Sequence, residues 1–81
     1  MNNTLLPIGS IIVVKNTEVM ICAYFNKDSL INDEKYDYAC CLYPNGMGKD
    51  AILVKKEDIQ KVIFIGYHDD KFLAFKEMME K

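Results

Sequence analysis

Residues 36–46 read Tyr36-Asp37-Tyr38-Ala39-Cys40-Cys41-Leu42-Tyr43 and then Pro44-Asn45-Gly46. Aromatic residues favour strands, and successive side chains of a strand point to opposite faces of a sheet. Proline cannot donate to a strand ladder, and asparagine followed by glycine favours a tight turn. The pattern therefore predicts a strand over residues 36–43 that ends in a turn, which makes the fold β-rich.

Four more apolar runs of strand length flank this strand. Two precede it, at residues 10–15 and 19–25, and two follow it, at residues 51–55 and 61–66. Their content of Val and Ile favours extended structure. Residues 26–35 are polar and typical of an exposed loop. Residues 55–59 are too few for a stable helix and too charged for a strand, so they predict a single helical turn.

In the C-terminal residues, the spacing of apolar side chains changes from that of a strand to that of a helix. Phe72, Phe75 and Met79 recur at the spacing of one helix face, which predicts an amphipathic helix over about residues 69–80, with its aromatic face on the core. Asp69 or Asp70 can cap its first turn, because a carboxylate there accepts hydrogen bonds from unpaired amides.

These elements predict a mainly β fold of the β-rich α+β kind. A flat sheet of five strands leaves two edges and at least one apolar face uncovered, and one helix covers only one face. We therefore expect a small five-stranded antiparallel, SH3-like, partly closed barrel with a C-terminal helix, in a single domain over residues 1–81. Architecture of this kind does not fix a function.

Composition weighs against several classes of partner. The 81 residues carry a net charge of -2, and all ten basic residues are Lys, so neither a positive field nor arginine is present to read nucleic acid. No run reaches the length of a membrane-spanning helix, and the N-terminus lacks the features of a secretory signal. We expect a cytoplasmic protein that binds neither nucleic acid nor membrane.

Catalytic and metal chemistry find little support in the sequence. Cys40 and Cys41 with His68 could supply a thiol and a base, but adjacent strand residues point to opposite faces, which predicts one buried and one half-exposed core cysteine. The chain lacks the spaced ligand pairs of zinc sites. We therefore predict no catalytic residue, no metal and no cofactor.

The tyrosines are the best candidates for contact with a partner, since tyrosine combines apolar area with a hydroxyl group. We predict a protein-binding surface formed by the strand and turn at residues Tyr36, Tyr38, Tyr43, Pro44 and Asn45. For Tyr38 and Tyr43, cross-strand packing is an equally good interpretation.

Three patches carry a resemblance to a known family: Leu6-Pro7-Ile8-Gly9-Ser10, then Tyr36-Asp37-Tyr38 with Tyr43-Pro44-Asn45-Gly46, then Glu57-Asp58-Ile59 with Val62-Ile63-Phe64-Ile65-Gly66-Tyr67. In this order they resemble the small bacterial family called domain of unknown function 4176. Its members are encoded in low-GC Gram-positive bacteria, often beside LXG-type toxins and helical accessory proteins of the type VII secretion system.

The resemblance implies a non-enzymatic, chaperone-like or targeting accessory protein. Its partner would be the N-terminal region of an LXG-type toxin or a small helical accessory protein. The family assigns no catalytic residues. Two alternatives stay open: an immunity protein that neutralises a toxin domain, and a thiol enzyme that uses Cys40 or Cys41. The sequence does not fix the oligomeric state.

Overall fold

The computed structural model of the protein describes residues 5–25, 34–48 and 50–80. Five strands precede one helix: β1 (Ile11–Val14), β2 (Thr17–Tyr24), β3 (Tyr38–Leu42), β4 (Ile52–Val54), β5 (Lys61–Phe64) and α1 (Asp70–Glu80). A 3-10 turn at Lys56–Asp58 confirms the predicted helical turn. Most of the predicted polar loop, residues 26–33, lies outside the described residues, as do both ends of the predicted domain.

A tight turn joins β1 to β2 and sets the register of the first hairpin. Val14 pairs with Thr17 across the hairpin. Lys15 and Asn16 form the turn with φ angles of 51° and 62°, as a two-residue turn of type I′ requires. Because the turn needs only these two residues, β2 begins at Thr17, two residues before the predicted start.

The strands form one antiparallel sheet in the order β4-β3-β2-β1-β5. The five antiparallel strands and the C-terminal helix confirm the predicted fold class. In the part of the chain that the structure describes, β4 and β5 do not pair with each other. The sheet is therefore not closed, and β4 and β5 are its two edge strands.

One face of the sheet carries the core. Burial alternates along β1 and along the middle of β2, where Ile12, Val14, Val19 and Ile21 are buried and their neighbours in the strand are more exposed. The buried apolar cluster comprises Leu5, Leu6, Ile12, Val14, Val19, Ile21, Tyr38, Cys40, Val54 and Ile59. Burial of such side chains removes apolar surface from water and is the main source of the stability of a small domain.

The helix α1 covers this core with one face, as the sequence predicts. Phe72, Phe75 and Met79 pack against the buried cluster, and the Phe75 ring stacks on the Tyr24 ring with the centroids 5.3 Å apart. Asp69 caps the first turn, because its Oδ1 accepts a hydrogen bond from the Phe72 amide at 3.1 Å. The helix therefore begins directly after its cap.

The N-terminal segment packs against the residues that follow β5. Ser10 is fully buried, and its Oγ accepts a hydrogen bond from the Gly66 amide at 2.9 Å. The two backbones approach so closely that a Cβ atom on Gly66 would lie 2.4 Å from the Ile8 carbonyl oxygen. Only glycine fits at this position, and the contact holds residues 8–10 between β2 and the residues that follow β5.

Candidate functional site

Tyr38, one of the predicted contact residues, lies in the core. Its side chain is 0% exposed, and its hydroxyl oxygen accepts a hydrogen bond from the Leu6 amide at 3.1 Å. Burial raises the pKa of Tyr38 to about 12. Tyr38 thus holds the N-terminal segment on the sheet, and its predicted place on a contact surface is corrected.

Tyr36 lies half-buried beside an open cavity of about 480 Å³. Lys55 Nζ lies 5.5 Å from the centroid of the Tyr36 ring, and the same ammonium group forms an ion pair with Glu34 Oε1 at 2.6 Å. The hydrogen bond to Glu34 raises the pKa of Lys55. Charged groups of both signs therefore surround the mouth of this cavity.

The predicted turn residues Tyr43, Pro44 and Asn45 are exposed. The turn closes where the Gly46 amide donates to the Leu42 carbonyl oxygen at 2.8 Å. We define the turn surface as the exposed residues Leu42, Tyr43, Pro44, Asn45 and Met47.

Two cavities that share lining residues lie between Tyr36 and the turn surface. Asn45 and Met47 line a second cavity of about 380 Å³. Leu42 and Ile52 line this cavity as well as the cavity beside Tyr36. Of the five predicted contact residues, Tyr36 and Asn45 therefore line adjoining cavities, Tyr43 and Pro44 are exposed on the turn surface, and Tyr38 lies in the core.

A second apolar surface lies along the β5 edge, where the sequence gives no prediction of a site. We define the edge surface as Ile8, Ile63, Phe64, Ile65 and Tyr67, all of them exposed. Phe64 is 57% exposed and Tyr67 is 82% exposed. Val62–Ile65 reads as a continuous apolar run, which is typical of a buried central strand. Only the position of β5 at the edge reveals that these side chains face solvent.

An apolar groove extends the edge surface towards the helix. Ile8, Tyr24, Tyr67, Lys71, Phe72 and Phe75 line this cavity of about 350 Å³. Ile8 and Tyr67 belong to the edge surface, while the two phenylalanines belong to the core face of α1. The groove is therefore a place where an apolar side chain of a partner can reach the aromatic residues beneath the helix.

The Cys40 thiol lies in an environment that disfavours its ionisation. Cys40 is fully buried, and burial raises its pKa to about 12, which disfavours the reactive thiolate. Cys41 is also buried, whereas the sequence predicts one half-exposed member of the pair; Cys22 is the half-exposed cysteine. His68 is exposed, and its Nδ1 lies 3.3 Å from the Gly66 carbonyl oxygen.

In residues 5–25, 34–48 and 50–80, no group of three or more His, Cys, Asp or Glu side chains is arranged to hold a metal ion. The helix found in this part of the chain is neither long nor apolar enough to cross a membrane.

Comparison with known proteins yields one match. The family model described as "Domain of unknown function (DUF4176)" matches residues 5–75. No curated protein matches the chain. No solved structure matches it either. The match begins at the buried Leu5 and ends at Phe75, so it includes all five strands and the first half of α1. The chain belongs to the DUF4176 family.

Proposed function

We propose that this protein is a non-enzymatic protein-binding module, and that the edge surface is its main contact site. It acts in the cytoplasm as an accessory or chaperone-like protein for an LXG-type toxin of the type VII secretion system. The toxin's N-terminal region or a small helical accessory protein is the partner. The secretion setting rests on the resemblance to the family, and the choice of surface rests on geometry.

We place the contact site at the edge surface because exposed apolar side chains are concentrated on and beside the edge strand β5. Single exposed apolar residues are ordinary, but a contiguous apolar patch on a small domain marks a site of interaction. Ile8 and Tyr67 line one groove, and Ile63, Phe64 and Ile65 are each about half exposed. Aromatic residues such as Phe64 and Tyr67 are favoured as anchors at protein interfaces.

The shape of the edge favours a helix as the docking element over an added strand. Val62 pairs with Ile12 and Phe64 pairs with Ile11, so Ile63 is the extra residue of a β-bulge. A bulge interrupts the regular row of amides and carbonyls that an incoming strand would need. An amphipathic helix needs only apolar side chains and a groove, and the edge surface offers both.

The turn surface is a second candidate contact site on the same molecule. Leu42, Tyr43 and Met47 are exposed there, and the two adjoining cavities contain polar and charged groups as well as apolar ones. It holds fewer exposed apolar side chains than the edge surface. We therefore treat it as the alternative site that the experiment must distinguish.

The experiment is co-purification with the N-terminal region of an LXG-type toxin or with its small helical companion, followed by size exclusion at micromolar concentration. Phe64→Lys alters the edge surface, and Met47→Lys is its matched control on the turn surface, since these side chains are 57% and 56% exposed. Circular dichroism verifies that both variants fold. We expect co-elution of the wild type and of Met47→Lys, and loss of co-elution for Phe64→Lys.

Two other outcomes would change the proposed contact site or the proposed function. Loss of co-elution for Met47→Lys alone would move the contact site to the turn surface. No complex with either N-terminal partner, together with rescue of growth when the toxin's C-terminal domain is expressed alone, would make the protein an immunity protein.

A further inference from the structure

Two cysteines on neighbouring strands bring their sulfur atoms together. The Sγ atoms of Cys22 on β2 and Cys41 on β3 lie 3.1 Å apart, and both cysteines are free thiols. A disulfide bond requires about 2.0 Å between the sulfurs. A relative movement of roughly 1 Å would therefore bring these two atoms to bonding distance.

The sheet itself produces this approach. Met20 pairs with Cys41 and Ile21 pairs with Cys40, but the register then shifts, so that Cys22 is the extra residue of a β-bulge. Bulges re-aim the side chain of the extra residue. Cys22 is thereby directed to Cys41, while Cys40 stays in the core on the other side of β3. Adjacent cysteines in the sequence thus have different environments.

We propose that Cys22 and Cys41 form a reversible disulfide by exchange with a low-molecular-weight disulfide, and that Cys40 takes no part in it. Cys22 is the point of attack because it is half-exposed, whereas Cys41 is buried. Cys41 is the resolving thiol because it is already in contact with Cys22. This property is independent of the proposed binding function.

The exchange proceeds in two steps. The Cys22 thiolate attacks one sulfur of the small disulfide RSSR. A Cys22–SR mixed disulfide forms as the S–S bond of RSSR breaks, and the RS⁻ that leaves takes up the proton that Cys22 lost. The Cys41 thiolate then attacks the Cys22 sulfur, and a second RS⁻ leaves and takes up the proton from Cys41. Two protein thiols are oxidised, and one RSSR is reduced to two RSH.

The cross-link would constrain the unfolded chain. It joins residues that are 19 positions apart, and closing a loop of this size removes conformational entropy from the denatured state. Lower entropy of the denatured state favours the folded state, so oxidation should stabilise the protein. We expect a rise in Tm of about 5 °C or more.

The test is treatment of the native protein with oxidised glutathione at about pH 8.5, because exchange proceeds through a thiolate. Trypsin cleavage leaves Cys22 in the peptide of residues 16–27, and both Cys40 and Cys41 in the peptide of residues 36–49. We expect these two peptides to be joined by a disulfide, and the link to disappear on reduction.

Three variants identify the partners in the cross-link. Cys40→Ala leaves Cys41 as the only cysteine of its peptide and should keep the link, whereas Cys22→Ser and Cys41→Ser should lose it. If Cys40→Ala does not fold, fragmentation of the linked wild-type peptides between Cys40 and Cys41 gives the same answer. A native protein that gains only glutathione adducts, or a link through Cys40, would overturn the proposal.

Discussion

At the scale of single residues, burial separates the tyrosines that the sequence groups together. Tyr38 is in the core with its hydroxyl bonded to the Leu6 amide, whereas Tyr43 and Tyr67 are exposed. Alternation along β3 predicts that Tyr38 and Cys40 share a face, which the structure confirms. Alternation does not reveal which face is covered, because that depends on the N-terminal segment and α1, which are distant in sequence.

The close packing at Gly66 predicts that any side chain there destabilises the fold. A Cβ atom there would lie 2.4 Å from the Ile8 carbonyl oxygen and 2.9 Å from the Ser10 amide nitrogen, and these are backbone atoms that cannot rotate away. We expect Gly66→Ala to lower the free energy of unfolding by about 1–3 kcal/mol. Urea unfolding measures the loss. Gly48→Ala is the matched control, because nothing lies within 4 Å of a Cβ atom there, and equal losses in the two variants would refute this packing.

Alkaline pH should weaken the fold through two buried acids. Burial raises the pKa of Tyr38 from 10.0 to about 12 and that of Cys40 from 9.0 to about 12. The folded state therefore retains these protons at pH values where the unfolded chain has released them. Stability from this source is complete below about pH 9 and is lost as the pH rises towards 12.

Urea unfolding in the presence of a reductant checks this prediction. Between about pH 8 and pH 11 we expect the free energy of unfolding to fall by about 2–4 kcal/mol. Cys40→Ala should show a smaller fall, since it loses the contribution of Cys40 and keeps that of Tyr38. A stability that stays constant over this range would show that the two groups are not buried as described.

At the scale of elements, periodicity predicts which segments are strands and which is a helix. The spacing of Phe72, Phe75 and Met79 identifies the face of α1 that packs on the core. The order of strands in the sheet is not encoded in any local pattern, so the apolar run at Val62–Ile65 gives no sign that β5 is an edge strand. The edge surface could therefore be found only from the tertiary structure.

The two faces of α1 should differ in their contribution to stability. Phe75 packs on the core and stacks on Tyr24, while Leu73 is 48% exposed. We expect Phe75→Ala to lower the free energy of unfolding by about 2–4 kcal/mol. Leu73→Ala should change it by about 0.5 kcal/mol or less, as surface substitutions usually do. A loss for Leu73→Ala as large as that for Phe75→Ala would mean that α1 is rotated on the sheet.

At the scale of the whole molecule, the sheet is open and its two edges differ. The β4 edge adjoins the turn surface and cavities with mixed charges, whereas the β5 edge presents exposed apolar side chains and an apolar groove. The family match covers residues 5–75 and therefore includes both edge strands. The two edges therefore offer a protein partner different surfaces, and we propose that the partner covers the β5 edge.

Hydroxyl-radical footprinting with mass spectrometry measures this directly, because it reports the solvent accessibility of aromatic and methionine side chains. The protein is oxidised alone and in complex with its co-purified helical partner. We predict that Phe64 and Tyr67 become protected in the complex, while Tyr43 and Met47 are oxidised at unchanged rates. Protection of Tyr43 and Met47 with unchanged oxidation of Phe64 and Tyr67 would show that the partner binds the turn surface and not the edge surface.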